Sequence, residues 1–428
     1  MKAFFKDPLG SLRRLSQQSG FKAFLSSLIC IGAGIFVGFI VLLLLSIFTE
    51  DIPVSDAFRG LLIILGGPFA SGSGQDILFT IGEMLFEATP LLMTGLSVAI
   101  AFKNGLFNIG APGQYLMGTA GSIIVALSIP ANEKNGFLVW LLAIVVGTLL
   151  GMIWGLIPGF FKAFLGINEV IVCIMTNWIA ANVVSWVFKD SVFVNSASGK
   201  TAYTLKTMTN HVATPKLGLD NIFRGSNIDM AIILVILIAI GLYIMMNKTT
   251  FGFELKACGS NREAARYAGM NVKRNIMLSM MIAGGLSAMG ACFFYLNGNI
   301  EFAWDTYARL PDTGFNGIPV ALLAGSNPIG VIFSSIFLRY IGKGGYNLAG
   351  YTMFNEYVSD LIVALIIYFA GFANFIRMML SGRKKASVKN APAQPAAPAE
   401  PAPPAPPAPP APPAPPASDS SEKGGEKA

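Results

Sequence analysis

Polar side chains are scarce in this chain, and the few that interrupt its apolar runs are the ones able to handle a solute. "GLFNIGAPGQYLMG" at 105–118 sets Asn108 and Gln114 among glycines between two long apolar stretches. "INEVIVCIMTNWIAAN" at 167–182 is apolar except for Asn168, Glu169, Thr176, Asn177 and Asn182. A carboxylate near bilayer depth costs about 2.5–3.5 kcal/mol, so it faces a partner or water. Glu169 and Thr176 are seven apart and share a helix face, and Asn177 nearly joins them. These groups can hydrogen-bond a polar solute. Catalysis is a poor fit, because the single histidine, His211, has no matched partners. "GKT" at 199–201 resembles the end of a phosphate-binding loop, but Val194 stands where its first glycine belongs. Glu169 has a plainer role open to it, as a cap at the membrane interface beside Lys162. The glycine-rich break likewise fits either a solute pathway or a tight-packing turn.

The elements that carry these groups are membrane helices. The chain has 428 residues, 54% hydrophobic and 12% charged. Apolar stretches long enough to cross a hydrocarbon core of roughly 30 Å recur along it. The clear ones run over 24–48, 79–102, 137–157, 170–188, 229–246, 276–296 and 358–376. Weaker ones lie at 113–129 and 328–341, with a very short one at 315–325. The first is too long for a secretory signal and has no small-residue cleavage site after it. Cys30, Cys173, Cys258 and Cys292 form no disulfide or metal pattern.

Charge sets the orientation. Lys2, Lys6, Arg13, Arg14 and Lys22 place the N-terminal segment 1–23 inside. The basic loop 247–275 and the C-terminal flank are also inside, so an even number of crossings is required, and ten satisfy it. The loop 189–227 is expected outside despite five basic residues. The expected fold is therefore an all-α polytopic membrane domain over 24–380, with an Ala/Pro-rich cytoplasmic tail at 381–428. Such a tail favours extended polyproline II and acts as a spacer.

The break has an echo. "TGFNGIPVALLAG" at 313–325 repeats it, with Phe315 and Asn316 matching Phe107 and Asn108. Gly95-Leu96-Ser97 matches Gly285-Leu286-Ser287, and "INEV" at 167–170 matches "FNEY" at 354–357, with Glu356 mirroring Glu169. Two five-span units, about 24–188 and 228–378, then form an inverted repeat, as in alternating-access transporters. On that reading Phe107, Asn108, Gln114, Glu169, Asn177, Trp178, Phe315 and Asn316 line a central pathway.

The inner loop holds "SNREAARYAG" at 260–269, which reads as a short capped helix over 261–268. Ser260 is the expected cap, Glu263 completes a capping box, and Gly269 suits the left-handed end. Ala264, Ala265 and Arg266 form its body. Its form is that of a docking element.

Together "GLFNIGAPGQYLMG", "INEVIVCIMTNWIA", "GSNREAARYAGMNV" and "GFNGIPVALLAGSNP" resemble the permease subunits of ATP-binding-cassette importers. The group is that of branched-chain amino acid and ribose permeases, in its nucleoside and simple-sugar branch. The resemblance covers about 20–380. It implies a bacterial cytoplasmic-membrane protein that forms half of a pore with a second permease subunit, expected to be a different chain. It also implies a cytoplasmic ATPase docked on the inner loop and holding the ATP, and an extracellular substrate-binding lipoprotein. No cofactor in this chain and no nucleic acid are implied. Many relatives read Glu-Gly-Gln where this chain has Pro112-Gly113-Gln114, which removes a polar contact at 112. The resemblance implies nucleosides as substrate, with simple sugars second. An ion-coupled secondary transporter also suits an inverted repeat with a buried carboxylate, but it needs no docking helix.

Overall fold

The computed structural model describes residues 19–49, 51–70, 72, 74–195, 199–201, 212–303, 309–355 and 357–380. His211, Glu356, most of the N-terminal segment and the Pro-rich tail lie outside the described residues. The chain is almost wholly helical. α1 (Ser19–Phe48) is followed by α2 (Val54–Gly66), α3 (Gly74–Lys103), α4 (Ala111–Ser128), α5 (Gly136–Leu165) and α6 (Glu169–Phe188). After β1 (Val194–Asn195) and β2 (Lys200–Thr201) come α7 (Leu219–Ile222), α8 (Ala231–Lys248), α9 (Thr250–Ser260) and α10 (Arg262–Tyr267). α11 (Val272–Tyr295), α12 (Asp312–Leu323), α13 (Pro328–Tyr351), α14 (Tyr357–Ala370) and α15 (Ala373–Leu380) complete it.

Nine of the ten expected spans each fall on one helix, while 358–376 is divided between α14 and α15. Six of them, α1, α3, α5, α6, α8 and α11, are long and apolar enough to cross a membrane. α12 has 12 residues and α14 has 14, short of the roughly 20 that a crossing needs. Burial separates centre from rim. The apolar windows of α3 and α11 are 83% and 72% buried, against 22% for α1 and 28% for α8. α3 and α11 are therefore the central pillars. α5 joins them through small residues every fourth position, Gly147, Gly151, Gly155 and Gly159, which face Cys292, Ala288, Gly284 and Met280 on α11. Without side chains between them the backbones approach closely, the usual means of helix association in lipid.

Three features depart from the sequence expectation. The segment after α1 folds as the amphipathic helix α2, which buries Ala57, Gly60, Ile63 and Ile64 and exposes Phe58, Leu62 and Leu65. The segment after α6, expected outside, contains a two-residue antiparallel ladder, Val194 opposite Thr201 and Asn195 opposite Lys200, so the fold is not purely helical. That ladder also puts Lys200 and Thr201 in a strand. The loop 247–275, expected inside, carries two helices, α9 and α10, rather than one.

Candidate functional site

The break opens where expected. α3 ends at Lys103, residues 104–110 are non-helical, and α4 begins at Ala111. Gly105 allows the turn with φ +66°. Most of the polar groups of the break find partners within the protein, as an apolar surrounding demands, although buried Asn104 Oδ1 has none among the described residues. Asn108 is fully buried. Its amide donates to Gln114 Oε1 at 2.9 Å and to Ser97 Oγ at 3.1 Å. Its oxygen accepts from Gln114 Nε2 at 3.1 Å and from the Gly110 N–H at 3.2 Å. Asn177 reaches across from α6, accepting from the Gly113 N–H and donating to the Ile109 carbonyl, both at 2.9 Å. The Phe107 ring stacks on Phe102 at 5.3 Å.

Glu169 closes the same region. It is buried, pairs with Lys162 Nζ at 2.7 Å and accepts from the Phe107 N–H at 3.4 Å. Asn168, not Glu169, caps α6 by accepting from the Val170 N–H at 2.9 Å. The break, α5 and α6 are thus tied by one carboxylate. Removing Lys162 strands that charge, so Lys162→Met is expected to cost about 3–5 kcal/mol. Glu169→Gln, which removes the buried charge instead, should cost less. Thermal melting of the two variants in detergent checks the order; equal losses would show that the pair is not what holds the region.

Phe315 and Asn316 lie on α12, half-buried. The two echoing segments do meet, since Gly314 packs on Pro112 with no room for a Cβ, 2.5 Å from the Pro112 Cα. Trp178 does not join the group. It is 51% exposed, on a different face of α6 from buried Asn177.

The segment that carries α9 and α10 is fastened to the break. Arg262 Nη2 donates to the Gly105 carbonyl at 3.0 Å. Gly259 lies flat against Lys103 and Gly105, and a Cβ there would overlap the Lys103 carbonyl. Asn104, fully buried, donates to the Asn275 carbonyl at 3.0 Å and to Ser279 Oγ at 2.8 Å on α11. The cap of α10 differs from expectation. Ser260 belongs to the end of α9, and Asn261, extended at φ −153° and ψ 107°, accepts from the Ala264 N–H at 3.0 Å. Glu263 makes no capping box; it pairs with Arg266 at 3.2 Å on the surface. Gly269 takes the left-handed conformation expected, φ +79°. Ala265 is the buried anchor of α10, while Glu263, Ala264, Arg266 and Tyr267 face outward.

Sequence reading missed Asn104, Gly259 and Arg262, and it missed a charged cluster in the helical core. Glu87 of α3 pairs with Lys343 at 2.8 Å and lies 3.8 Å from Arg339, both on α13. A signal was present, because Glu87 and Arg339 each interrupt an apolar stretch expected to span the membrane.

The chain is similar to known proteins over most of its length. Residues 80–371 match the family "Branched-chain amino acid transport system / permease component". The chain belongs to this permease family. The permease is 33% identical over 336 residues to the "Guanosine ABC transporter permease protein NupP" of Bacillus subtilis, covering 76% of this chain and 93% of that protein. It is 32% identical to the "Nucleoside ABC transporter permease protein NupB" of Lactococcus lactis, covering 75% and 86%. It is 29% identical to the "Glucose ABC transporter permease protein TsgB13" of Haloferax volcanii, covering 70% and 78%. The first two bacteria each have a second guanosine or nucleoside permease that also matches, at 23% and 24% identity. No solved structure matches the permease. The family and the six apolar helices make it a multi-pass membrane protein.

Proposed function

We propose that this permease is one membrane-spanning subunit of an ATP-driven importer of nucleosides. The observation that carries the reading is its likeness, over nearly their whole length, to permeases named for guanosine and nucleosides. Ten crossings in two inverted halves, 24–188 and 228–378, would place both termini in the cytoplasm, with 189–227 outside. The packing of Gly314 on Pro112 supports the two halves meeting at their echoing segments. The second permeases of the relatives' bacteria favour a pore made with a different, related chain. Its partners would be a cytoplasmic ATPase, which binds the ATP, and an extracellular binding lipoprotein. The permease itself contributes no ATPase site and no cofactor.

Within the chain, two roles divide the expected residues. Asn108, Gln114, Asn177 and Glu169 brace the inner end of the pathway, since their polar atoms are bonded to one another and to the break. Phe107, Phe315 and Asn316, only half-buried, are placed to face a solute, and exposed Trp178 to face the second subunit or lipid. α10 is the docking element, presenting Arg266 and Tyr267.

The test is uptake of labelled guanosine by cells carrying the complete transporter. Uptake should stop on ATP depletion, survive collapse of the proton gradient, and be competed by unlabelled adenosine. Competition by glucose or ribose alone would favour the sugar reading that the 29% identical glucose permease supports. Loss with the proton gradient would instead point to ion coupling.

A further inference from the structure

α2 is too short to cross a bilayer. It has 13 residues, about 20 Å of helix, and begins six residues after α1 ends (54 − 48), so it starts at the membrane surface. From there it runs antiparallel along the last turns of α13. Asp56 accepts from the Met353 N–H at 2.9 Å, Gly60 packs on Leu348, and the Ile64 carbonyl lies against Gly344. At the foot of α2, Tyr340 donates to the Leu65 carbonyl at 2.8 Å and Asn347 to the Gly67 carbonyl at 3.3 Å. Those two bonds pair carbonyls freed at the helix end, as hydrocarbon demands. The same stretch of α13 holds Lys343, which pairs with Glu87 near the middle of α3. α2 therefore dips to about half depth, turns through Gly67–Ala70 and hands the chain to α3.

Beside this dip lies an open cleft of about 420 Å³. Arg59, Leu62, Ile63 and Gly66 line it at the spacing of a single face of α2. Phe69 and Ala70 line it from the turn, and Tyr351 from the end of α13. Arg59 stands five residues into α2 (59 − 54), about 8 Å from its start, with Leu62 and Gly66 deeper. Leu62 and Phe69 are 69% and 62% exposed. Neither the Arg59 guanidinium nor the Tyr351 hydroxyl has a hydrogen-bond or ion-pair partner among the described residues.

A cation at the shallow end of an apolar cleft is complementary to a phospholipid. Guanidinium meets phosphate oxygens in a bidentate fork, and tyrosine suits the boundary between headgroup and hydrocarbon. A zwitterionic lipid brings its own ammonium to its phosphate, whereas an anionic one leaves the charge for Arg59. A protein seated here would have to supply a carboxylate at the same depth; a lipid carries its phosphate there by its own structure. We propose that the cleft beside α2 binds one anionic phospholipid. Its phosphodiester lies on Arg59 and Tyr351, and an acyl chain runs along Leu62, Gly66 and Phe69. The bound lipid braces α2 against α13.

The experiment extracts the complete transporter in mild detergent and weighs the permease subunit by native mass spectrometry. Delipidated transporter is then melted with added lipid. The parent should retain one phospholipid per permease. Phosphatidylglycerol should raise its melting temperature, and a diacylglycerol with an uncharged sugar headgroup should not. Arg59→Gln should raise about tenfold the phosphatidylglycerol concentration that gives half the shift, the effect of one charged hydrogen bond. Leu62→Gln should do the same from the apolar side. Both side chains are exposed, so neither change threatens the fold. Arg224→Gln, at an exposed cation that does not line the cleft, should behave like the parent. A parent that retains no phospholipid overturns the proposal, as does an Arg59→Gln protein with the parent's lipid response. An equal shift from the sugar lipid would make the contact annular lipid only and overturn it too. Loss of the second permease subunit from Arg59→Gln, with the lipid response kept, would make the cleft a subunit contact instead.

Discussion

Gly151→Val should leave almost no folded permease in the membrane. Gly151 sits in the seam between α5 and α11, where a Cβ would overlap the Ala288 Cβ and come 2.7 Å from the Gly284 carbonyl oxygen. The partner atoms include backbone, so no rotamer change relieves the clash. The helices must separate. Gly155, pressed on the Met280 carbonyl, and Gly147, with a Cβ position 2.8 Å from the Gly118 carbonyl, would lose their packing with it. Overpacking a tight core costs typically about 1–3 kcal/mol, and here the loss spreads over a seam of four glycines. In lipid there is no hydrophobic gain between helices to offset it. α11 is also one of the two most buried of the six long apolar helices, so its displacement reaches α3 and α4. The measurement is the yield of monodisperse protein after detergent extraction, with its melting temperature. Ile153→Val, at an exposed position two residues along the same helix, serves as the control and should match the parent. A Gly151→Val protein that melts like the parent would show that the seam does not hold the core together.

Much of this arrangement is readable before any coordinates, and the part that is not has a common cause. Composition and run length locate every apolar helix, because lipid admits few alternatives to a long apolar segment. The break at 104–110 is readable because glycine, proline and amides disrupt such a segment at a defined place. Gly269 is readable because a left-handed helix end leaves a strong local preference. The cap of α10 is misread by one residue. α9 runs on to Ser260, so the cap passes to Asn261, and a local pattern carries no signal of where the preceding helix stops. Partnerships across the fold are hidden more deeply. Lys343 lies 256 residues from Glu87, and Arg262 lies 157 from Gly105. Each residue is visible alone, but only packing says whom it meets. The same limit explains Asn108 and Gln114. As isolated amides in an apolar run they read as solute ligands, whereas in the fold each fills most of the other's hydrogen-bonding capacity.

Arg262→Ala should separate ATPase docking from transport. The loop proposed to dock the ATPase is joined to the break by a charged hydrogen bond, Arg262 to the Gly105 carbonyl at 3.0 Å. From Gly105 the chain leads within two residues to Phe107, whose N–H is held by Glu169 at the start of α6. It leads on to Gly113, held by Asn177 one helical stretch further along α6. A displacement of α10 by the ATPase would therefore pull the break and α6 together. A hydrogen bond to a charged group contributes about 1.5–3 kcal/mol, so its loss should lower uptake about tenfold or more. Docking should persist, because the outward face of α10 is untouched. Tyr267, 92% exposed at the end of α10, gives the opposite variant: Tyr267→Ala should weaken co-purification of the ATPase while leaving the Arg262 contact intact. Gly259→Val should act like Arg262→Ala but more severely, since its side chain would push the loop off the Lys103 carbonyl. ATPase co-purification, stimulated ATP hydrolysis and uptake are measured on all three. If Arg262→Ala transports like the parent, motion reaches the pathway by another route. The candidate for that route is Asn104, whose amide ties the break directly to α11 at 2.8 Å and 3.0 Å.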